Sequence, residues 1–571
     1  VSCVDLSNNE NLKQNAKLQK LFNDYHEESL KLYPISATYE GDNRYNDLLI
    51  ADFTESNRIK YKQFYEKYLS LLNSFQKSEL NETDKLSYEI FNDQLNTAIE
   101  GFNFNDNYFP FNQFVGLQLT MVQLASGSGA QPFKTIADYN NWIKRVNAFS
   151  LWADSAIMYF KLGIEKKYVL PKSIVLKMIP QLEEIVVSDP TKSIFYGPII
   201  NMPKSFSGID KKQLTEKYIQ LIKEQVNPTY KKLAEFIKTT YLPVARNTSG
   251  INDIPNGEKY YTYLVKSSTT TNKSPEEIYN LGLLEVKRIK TLMEEIKDKV
   301  GFKGTLAAFF EYLKNDKKFM PYKTPQEVIA AFHKIHKTMQ PQLKKYFNMV
   351  PKTPFEIRQT EAFRAASASA EYNQGSADGT RPGIFYVPIV DATKFNTTSG
   401  MESLFLHEAI PGHHYQISIQ QEDTMLPGFR RFGGYNAFCE GWALYCESLG
   451  KELGLYTDPY QYMGALGDEM HRAIRLVVDV AIHTKNLSRE DAIKYMMENE
   501  PISEQGATAE IERYMVIPSQ ALGYKIGALK IKELREKYQT QLKTKFNIAD
   551  FHDQILKDGS MPLTILENKL A

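Results

Sequence analysis

Helical periodicity with recurrent start signals is the feature of this sequence that most constrains its fold. Over residues 18–33 the apolar side chains recur every three or four positions, which places them on one face of a helix that Pro34 ends. Ser274 and Thr324 each precede a proline and, three positions on, a glutamate, a pattern typical of helix N-termini. These patterns predict a chain that is mainly helical.

Only one segment carries a clear strand signal. Gly383–Val387 is a β-branched and aromatic run with a proline beside each end, which predicts a short or edge strand in a small sheet or hairpin. The sequence contains no repeat of fixed period, no low-complexity tract and no Gly/Ser linker. We therefore expect a polar tether over residues 1–17 and a single large helical domain over residues 18–571. That domain has room for two lobes, and its chemistry is expected in residues 370–530.

The charge balance limits the partners that we expect. The chain has 571 residues, of which 69 are Lys or Arg and 68 are Asp or Glu, so the formal net charge is +1. Nucleic-acid-binding proteins usually carry a basic excess, so no nucleic-acid partner is predicted. A hydrophobic content of 42% excludes a disordered chain. The sequence has no apolar run long enough to predict a transmembrane helix.

The cysteines bear on the compartment. Val1-Ser2-Cys3 matches the end of a lipobox, in which a small residue precedes a cysteine that becomes lipidated, and the next residues are polar. This predicts an extracytoplasmic protein, in the periplasm or on the cell surface, that meets the membrane only through a lipid on Cys3. A chance cysteine is the alternative. Cys439 and Cys446 are seven positions apart on one predicted helix, ~10 Å, which is too far for a disulfide.

The histidines are concentrated in one part of the chain. Five of the nine lie between residues 407 and 483, and three of those fall in the string HEAIPGHH at residues 407–414. The string resembles HExxH, in which two histidines one helical turn apart bind zinc and the glutamate acts on the metal-bound water. Here the position four residues after His407 is Pro411, which cannot bind a metal. A zinc site therefore requires a departure from a regular helix.

Two histidines compete for the second ligand position. On a regular helix His413 is rotated ~240° from His407, whereas His414 is nearly aligned but ~10 Å further along the axis. Pro411 removes a helical hydrogen bond and Gly412 tolerates unusual dihedral angles, so this pair should widen or kink the helix. If the pair forms a bulge, His413 takes the ligand position. We prefer His413 and keep His414 as the alternative, with the displaced histidine supporting the ligand or binding substrate.

An open catalytic zinc site needs a third protein ligand. Residues 436–450 form a second predicted helix, on which Glu440 and Glu447 share one face among aromatic and aliphatic neighbours. An acid on a mostly apolar helix is costly unless it is paired or binds a metal. We predict Glu440 as the ligand. Glu447 is its support or the alternative ligand.

Several blocks of the sequence resemble a large bacterial family, domain of unknown function 885, which is associated with zinc metallopeptidases and lipoproteins. The blocks occur in the expected order over most of the chain, at residues 34–45, 378–383, 407–414, 440–447, 475–483 and 512–521. The family is similar to helical gluzincins such as the thermostable carboxypeptidases, oligopeptidases and angiotensin-converting enzyme. Dipeptidyl peptidase III offers a precedent for a lengthened motif. The resemblance implies a mainly α, gluzincin-like fold with a deep cleft and a small β-sheet or hairpin beside the zinc helix.

The resemblance also implies a function, a zinc-dependent hydrolase that cleaves peptides as an exo- or oligopeptidase. Zn²⁺ bound by His407, His413 and Glu440 would activate a water, with Glu408 as the general base. Tyr514 is the predicted donor to the oxyanion, because related gluzincins use a tyrosine there.

Substrate binding is predicted for four residues, namely Tyr386, His414, Arg475 and Arg513. The strand Gly383–Val387 could pair with an extended peptide, or it could form a buried hairpin. Arg475 could hold a substrate carboxylate, or it could pair with Asp479 or Glu447. Two other functions stay open, a metal hydrolase of a non-protein amide such as a cell-wall peptide and a non-enzymatic lipoprotein that binds peptides or solutes. The oligomeric state stays open as well.

Overall fold

The structure, a computed structural model, describes residues 13–127, 129–360, 369–376, 379 and 381–571. It divides into two compact units, Val1–Gly257 and Glu258–Ala571. Helices dominate both units, which confirms the prediction of a mainly α protein with a small sheet. No helix in the described ranges is long and apolar enough to cross a bilayer. Cys3 and most of the predicted tether lie outside the described residues, so lipidation stays a prediction.

The first unit consists mainly of helices of very different lengths. They are α1 (Ala16–Leu32), α2 (Pro34–Glu40), α3 (Glu55–Leu72), α4 (Glu82–Gly101), α5 (Leu117–Ala125), α6 (Ile136–Glu165), α7 (Lys172–Glu183), α8 (Gly197–Ile200), α9 (Gly208–Leu221) and α10 (Asn227–Phe236). Two π-helical turns, Ile222–Val226 and Ile237–Tyr241, follow α9 and α10. The predicted helix over residues 18–33 is confirmed as α1, whose buried face includes Leu18, Leu21 and Phe22.

A buried arginine organises the N-terminal block of this unit. Arg145, on α6, is fully buried, and burial lowers its pKa to about 10, so it stays charged at neutral pH. Its guanidinium donates hydrogen bonds to the carbonyl oxygens of Pro34, Tyr45 and Leu48, the hydroxyl of Thr38 and the amide oxygen of Gln131. The block at residues 34–45 therefore folds around Arg145. These hydrogen bonds give the block a structural role.

Replacing Arg145 by methionine should destabilise the first unit strongly. The change leaves several buried carbonyl oxygens without a donor, and each such group costs about 1–3 kcal/mol. Arg44 is a matched control, because it belongs to the same block but its side chain is exposed and paired with Asp42 and Glu27. Calorimetric unfolding of the full chain should show a large decrease in the free energy of unfolding for Arg145→Met and a much smaller decrease for Arg44→Met. Equal losses would contradict this account.

The second unit contains the longer C-terminal series of helices. They are α11 (Gly257–Thr269), α12 (Pro275–Lys299), α13 (Leu306–Asn315), α14 (Pro325–Tyr346), α15 (Met401–Leu404), α16 (His413–Glu422), α17 (Gly428–Arg431), α18 (Asn436–Ser448), α19 (Pro459–Thr484), α20 (Arg489–Asn499), α21 (Glu504–Val516), α22 (Leu522–Leu542), α23 (Ile548–Leu556) and α24 (Leu563–Lys569). The predicted starts are confirmed, because the side chains of Ser274 and Thr324 accept hydrogen bonds from the backbone N–H groups of Glu277 and Glu327.

A three-stranded sheet lies between α14 and α15 in the chain. Its strands are β1 (Phe355–Gln359), β2 (Glu371–Asn373) and β3 (Gly383–Val387), in the order β1-β3-β2. The pairing of β3 is parallel with β1 and antiparallel with β2, so β3 is the central strand.

The strand is short, as predicted, but the alternative of an edge strand is wrong. Pro382 and Pro388 lie just outside the paired residues, where a missing N–H breaks no bond of the ladder, so they mark only where the strand begins and ends. Because both edges of β3 are occupied, an extended peptide cannot pair with it.

Candidate metal centre

The histidine string folds as two helical pieces with a break between them. After α15, residues Phe405–Ala409 form a π-helical turn, and α16 begins at His413. Ile410 is extended, and Pro411 has no N–H with which to continue the helix. A Cβ on Gly412 would lie 1.9 Å from the carbonyl oxygen of His407, so only glycine fits there. The widening predicted for this segment is found, and it lies before Pro411.

The break brings His407 and His413 together. Their ring centroids are 5.0 Å apart, with the two rings almost perpendicular. The Oε2 atom of Glu440, on α18, lies 3.3 Å from Nε2 of His407 and 3.5 Å from Nε2 of His413. Two imidazole nitrogens and one carboxylate oxygen thus lie close together. This is a set of donor atoms that zinc prefers.

Glu408 is the second carboxylate of this cluster. Ligand atoms of His407, Glu408 and His413 lie within 4.8 Å of one another. The cluster thus contains an acid from the string itself and another from α18. Glu440 Oε2 is buried and accepts no hydrogen bond within the described residues, although the two imidazole nitrogens lie close to it.

The electrostatics of the cluster favour a cation. Burial alone would lower the pKa of His407, but the neighbouring carboxylates of Glu440, Glu447 and Glu408 raise it to about 10. Burial alone would raise the pKa of the Glu440 carboxyl, but the two histidines hold that pKa well below the usual range. Three acids around two histidines create a negative potential, so the residues present fit a divalent metal ion.

Glu447 orients the first histidine. Its Oε1 accepts a hydrogen bond from Nδ1 of His407 at 2.7 Å, which leaves Nε2 of that ring facing Glu440. A carboxylate on the far nitrogen of a histidine is the usual support of a metal ligand. Arg472, on α19, lies 3.9 Å from the same oxygen of Glu447. The other oxygen of Glu447 is buried without a partner in the described part of the chain.

Close packing sets the position of α18. A Cβ on Gly441 would lie 2.5 Å from the Cα of Gly527, so the two glycines allow α18 and α22 to approach closely. Trp442 is fully buried, and its Nε1 donates a hydrogen bond of 2.9 Å to the carbonyl oxygen of Pro411. This bond ties the helix of Glu440 directly to the break in the histidine string.

His414 lies away from the cluster, against the small sheet. It is buried, its Nδ1 is 2.8 Å from the hydroxyl of Tyr372 on β2, and burial lowers its pKa to about 4. A Cβ on Gly383 would lie 2.8 Å from the same nitrogen. Of the two competing histidines, the structure therefore brings His413, and not His414, to Glu440.

Tyr514 lies in a buried ionic network. Its side chain is fully buried, its hydroxyl accepts from Nε of Arg475 at 2.9 Å and donates to Glu510 at 2.5 Å. Burial raises the pKa of Tyr514 above its usual value. Arg475 also pairs with Glu510 at 3.1 Å, and Arg513 lies 3.5 Å from the same acid. Arg475 is thus paired, although with Glu510 and with neither Asp479 nor Glu447.

Tyr386 lies on the face of the sheet that is turned away from the π-helical turn. Its neighbour Phe385 packs towards Phe405 of the π-helical turn, with ring centroids 6.2 Å apart. Successive side chains of a strand point to opposite faces, so Tyr386 points away from that turn. The structure does not bring Tyr386 to the histidines, and its substrate role stays a prediction.

Two residues that contact Arg475 carried no signal in the sequence. Glu510 contacts Arg475, Arg513 and Tyr514, but in the sequence it lies two positions before a recognised block and resembles many other acidic residues. Tyr524, on α22, lies under the guanidinium of Arg475 at 4.8 Å, and burial and the charge of Glu440 raise its pKa. The close packing of α22 on α18, which only the fold reveals, brings Tyr524 there.

Fold and site together define a mainly helical protein with a candidate metal centre of two histidines and flanking carboxylates. The chain belongs to the family described as "Bacterial protein of unknown function (DUF885)", which matches residues 34–570. The resemblance predicted from the sequence blocks is confirmed. No curated protein matches the chain.

Two solved structures share this fold, and a third has a lower similarity. One, described as "the putative lipoprotein from Colwellia psychrerythraea", is 29% identical, with a TM-score of 0.88 and coverage of 97% of this chain and 98% of that one. Another, "a putative lipoprotein of unknown function from Shewanella oneidensis", is 18% identical, with a TM-score of 0.73 and coverage of 97% and 99%. A carboxypeptidase of Pyrococcus furiosus is 9% identical, with a TM-score of 0.42 and coverage of 98% and 95%.

Proposed function

We propose that this protein is a zinc-dependent peptidase. The observation that carries the proposal is the oxygen of Glu440, which is buried, accepts no hydrogen bond within the described residues and lies 3.3 and 3.5 Å from the Nε2 atoms of His407 and His413. A buried carboxylate oxygen that accepts no hydrogen bond is costly, and a metal ion held by the three atoms would remove that cost. His407, His413 and Glu440 would hold the ion.

Zinc in such a site polarises a carbonyl group and makes water a stronger nucleophile at neutral pH. Glu408, adjacent to His407 in the chain and within 4.8 Å of both histidines, accepts the proton of the attacking water on its carboxylate. It then delivers that proton to the leaving amine nitrogen. Glu447 keeps the proton of His407 on Nδ1, so Nε2 keeps its lone pair for the metal.

Two tyrosines are candidates for the donor to the developing oxyanion. Tyr514 is the predicted one, but its hydroxyl already donates to Glu510, so it would have to exchange that partner. Tyr524 is only half-buried, and Glu440 is among the charges that act on it. These features support Tyr524 as the donor, with Tyr514 and Arg475 holding the network behind it.

Metal analysis combined with a cleavage assay tests the proposal. Full-length protein dialysed against zinc should retain one zinc ion per chain and should cleave members of a peptide library, and a chelator should remove both the zinc and the activity. Bound zinc with cleavage of cell-wall amides alone would indicate a metal hydrolase of another substrate class. Absence of stoichiometric metal would overturn the proposal and favour a binding lipoprotein.

The same proposal includes a location outside the cytoplasm. Cys3 in its lipobox-like context motivates it, and the 29%-identical Colwellia psychrerythraea protein is itself described as a "putative lipoprotein". A lipid on Cys3 would hold the peptidase at a membrane surface.

A further inference from the structure

A cavity of about 200 Å³ in the second unit is lined mainly by residues of α18, α19 and α22. On α19 and α22 the lining residues recur every three or four positions, so they form one face of each helix. They are Tyr462, Ala465, Leu466 and Glu469 on α19 and Lys525, Ala528, Leu529 and Lys532 on α22. The volume is smaller than the roughly 300–1,000 Å³ of pockets for drug-sized molecules, so this cavity suits a small ligand.

Basic side chains outnumber acidic ones around this cavity. The lining includes four cationic residues and two acids, namely Arg288, Lys451, Lys525 and Lys532, and Glu447 and Glu469. A third acid, Glu285, pairs with Arg288 and Lys525 without lining the cavity. The four cations therefore exceed the acids around them by one positive charge, and this excess favours an anionic ligand over a cationic one.

Lys525 is the buried cation of this cavity. Only 2% of the residue is exposed, and its Nζ lies 2.6 Å from Oε1 of Glu469 and 2.9 Å from Oε2 of Glu285. An ammonium group has three N–H donors, and these two contacts use two of them. The third has no acceptor among the described residues, and a buried donor without an acceptor is costly. An oxygen of an anion in the cavity would remove that cost.

Two exposed lysines line the same cavity, Lys451 just after α18 and Lys532 on α22. The Nζ of Lys451 lies 3.9 Å from the centre of the Tyr462 ring, and neither lysine pairs with an acid in the part of the chain that the structure describes. Unpaired lysines are common on protein surfaces. Here they line one cavity together with the buried Lys525, which also has a donor left over, so three ammonium groups are available to one ligand.

We propose that this cavity binds a small polyvalent oxyanion, a phosphate or a dicarboxylate, between Lys525 on the inside and Lys451 and Lys532 at the exposed side. Both kinds of anion offer several acceptor oxygens and more than one negative charge, so one ligand satisfies all three lysines through charge-assisted hydrogen bonds. The proposal goes beyond the peptidase function and does not depend on it.

Titration calorimetry of the full-length protein with phosphate, at constant ionic strength, tests this proposal. One phosphate should bind per chain, and the double variant Lys451→Gln/Lys532→Gln should bind it about 10-fold more weakly, because two charge-assisted hydrogen bonds are lost. Both side chains are exposed, so this variant should fold. Lys537→Gln/Lys545→Gln is the matched control. It removes the same charge from exposed lysines outside the cavity, so it should change the affinity by less than about twofold.

Two further titrations complete the test. Succinate in place of phosphate distinguishes the two kinds of oxyanion, and the one that binds more tightly identifies the class of ligand. Phosphate can also occupy the open position of a zinc ion, so the titration is repeated after treatment with a chelator, and the same site should remain. Binding that disappears with the metal, binding that is equal in the double variant and the wild type, or no saturable binding of either anion would overturn the proposal.

Discussion

Glu408→Gln should lower kcat for peptide hydrolysis by on the order of 10²- to 10⁴-fold while zinc stays bound, because glutamine keeps the size of the side chain but cannot accept the proton of water. The proposed metal ligands are untouched by this change, since His407, His413 and Glu440 keep their atoms and their contacts. Steady-state kinetics and elemental analysis of the same sample measure the two effects separately.

Glu408→Asp is the control for this prediction. It keeps a carboxylate but withdraws it by one methylene, so it should recover part of the activity that glutamine loses. Full activity in Glu408→Gln with zinc bound would exclude Glu408 as the general base. Loss of zinc in the same variant would make Glu408 a ligand, which its place within 4.8 Å of both histidines allows as the competing assignment.

The neighbouring histidines should differ sharply in their effect on the metal. His413→Ala removes one of the two imidazoles that face Glu440, so the protein should lose stoichiometric zinc and all activity. His414→Ala removes a ring that contacts Tyr372 on the sheet, so zinc should stay bound. Zinc titration of both variants, with circular dichroism to verify that each is folded, compares two alanine substitutions at adjacent positions.

The opposite pattern would reverse the ligand assignment. Zinc retained in His413→Ala and lost in His414→Ala would mean that α16 rotates when the metal binds. Glu447→Gln provides a graded reference, because replacing the carboxylate behind a metal-binding histidine typically weakens metal affinity by 10- to 100-fold. His413→Ala should weaken zinc binding more than Glu447→Gln does.

Features that depend on neighbours in the chain could be predicted from the sequence. The caps at Ser274 and Thr324 were predicted correctly, because the side chain and the N–H that it meets are three positions apart. The disruption at Pro411 and Gly412 could be foreseen for the same reason, since proline lacks a donor and glycine lacks a Cβ wherever they occur. Residue type and spacing likewise select His407 and Glu440 without knowledge of the contact between them.

Features that depend on distant partners could not be predicted. Gly383–Val387 was recognised as a strand, but its central place depends on β1 and β2, whose residues lie far from it in sequence. Arg475 was equally suited to Asp479, Glu447 or a substrate, and the structure pairs it with Glu510. For a long side chain, the available partners are set by which helices pack together, and no local pattern encodes that.

By itself, the sequence determined the helical character of the protein, the residue types that we propose bind a metal and the point where the histidine string must leave a regular helix. Those properties follow from backbone chemistry and side-chain type, which act within a few residues. Only the tertiary structure brought His413 instead of His414 to Glu440 and buried Tyr514. Each of these results depends on how close α16, α18, α19 and α22 approach, and that distance is set by packing across the whole unit.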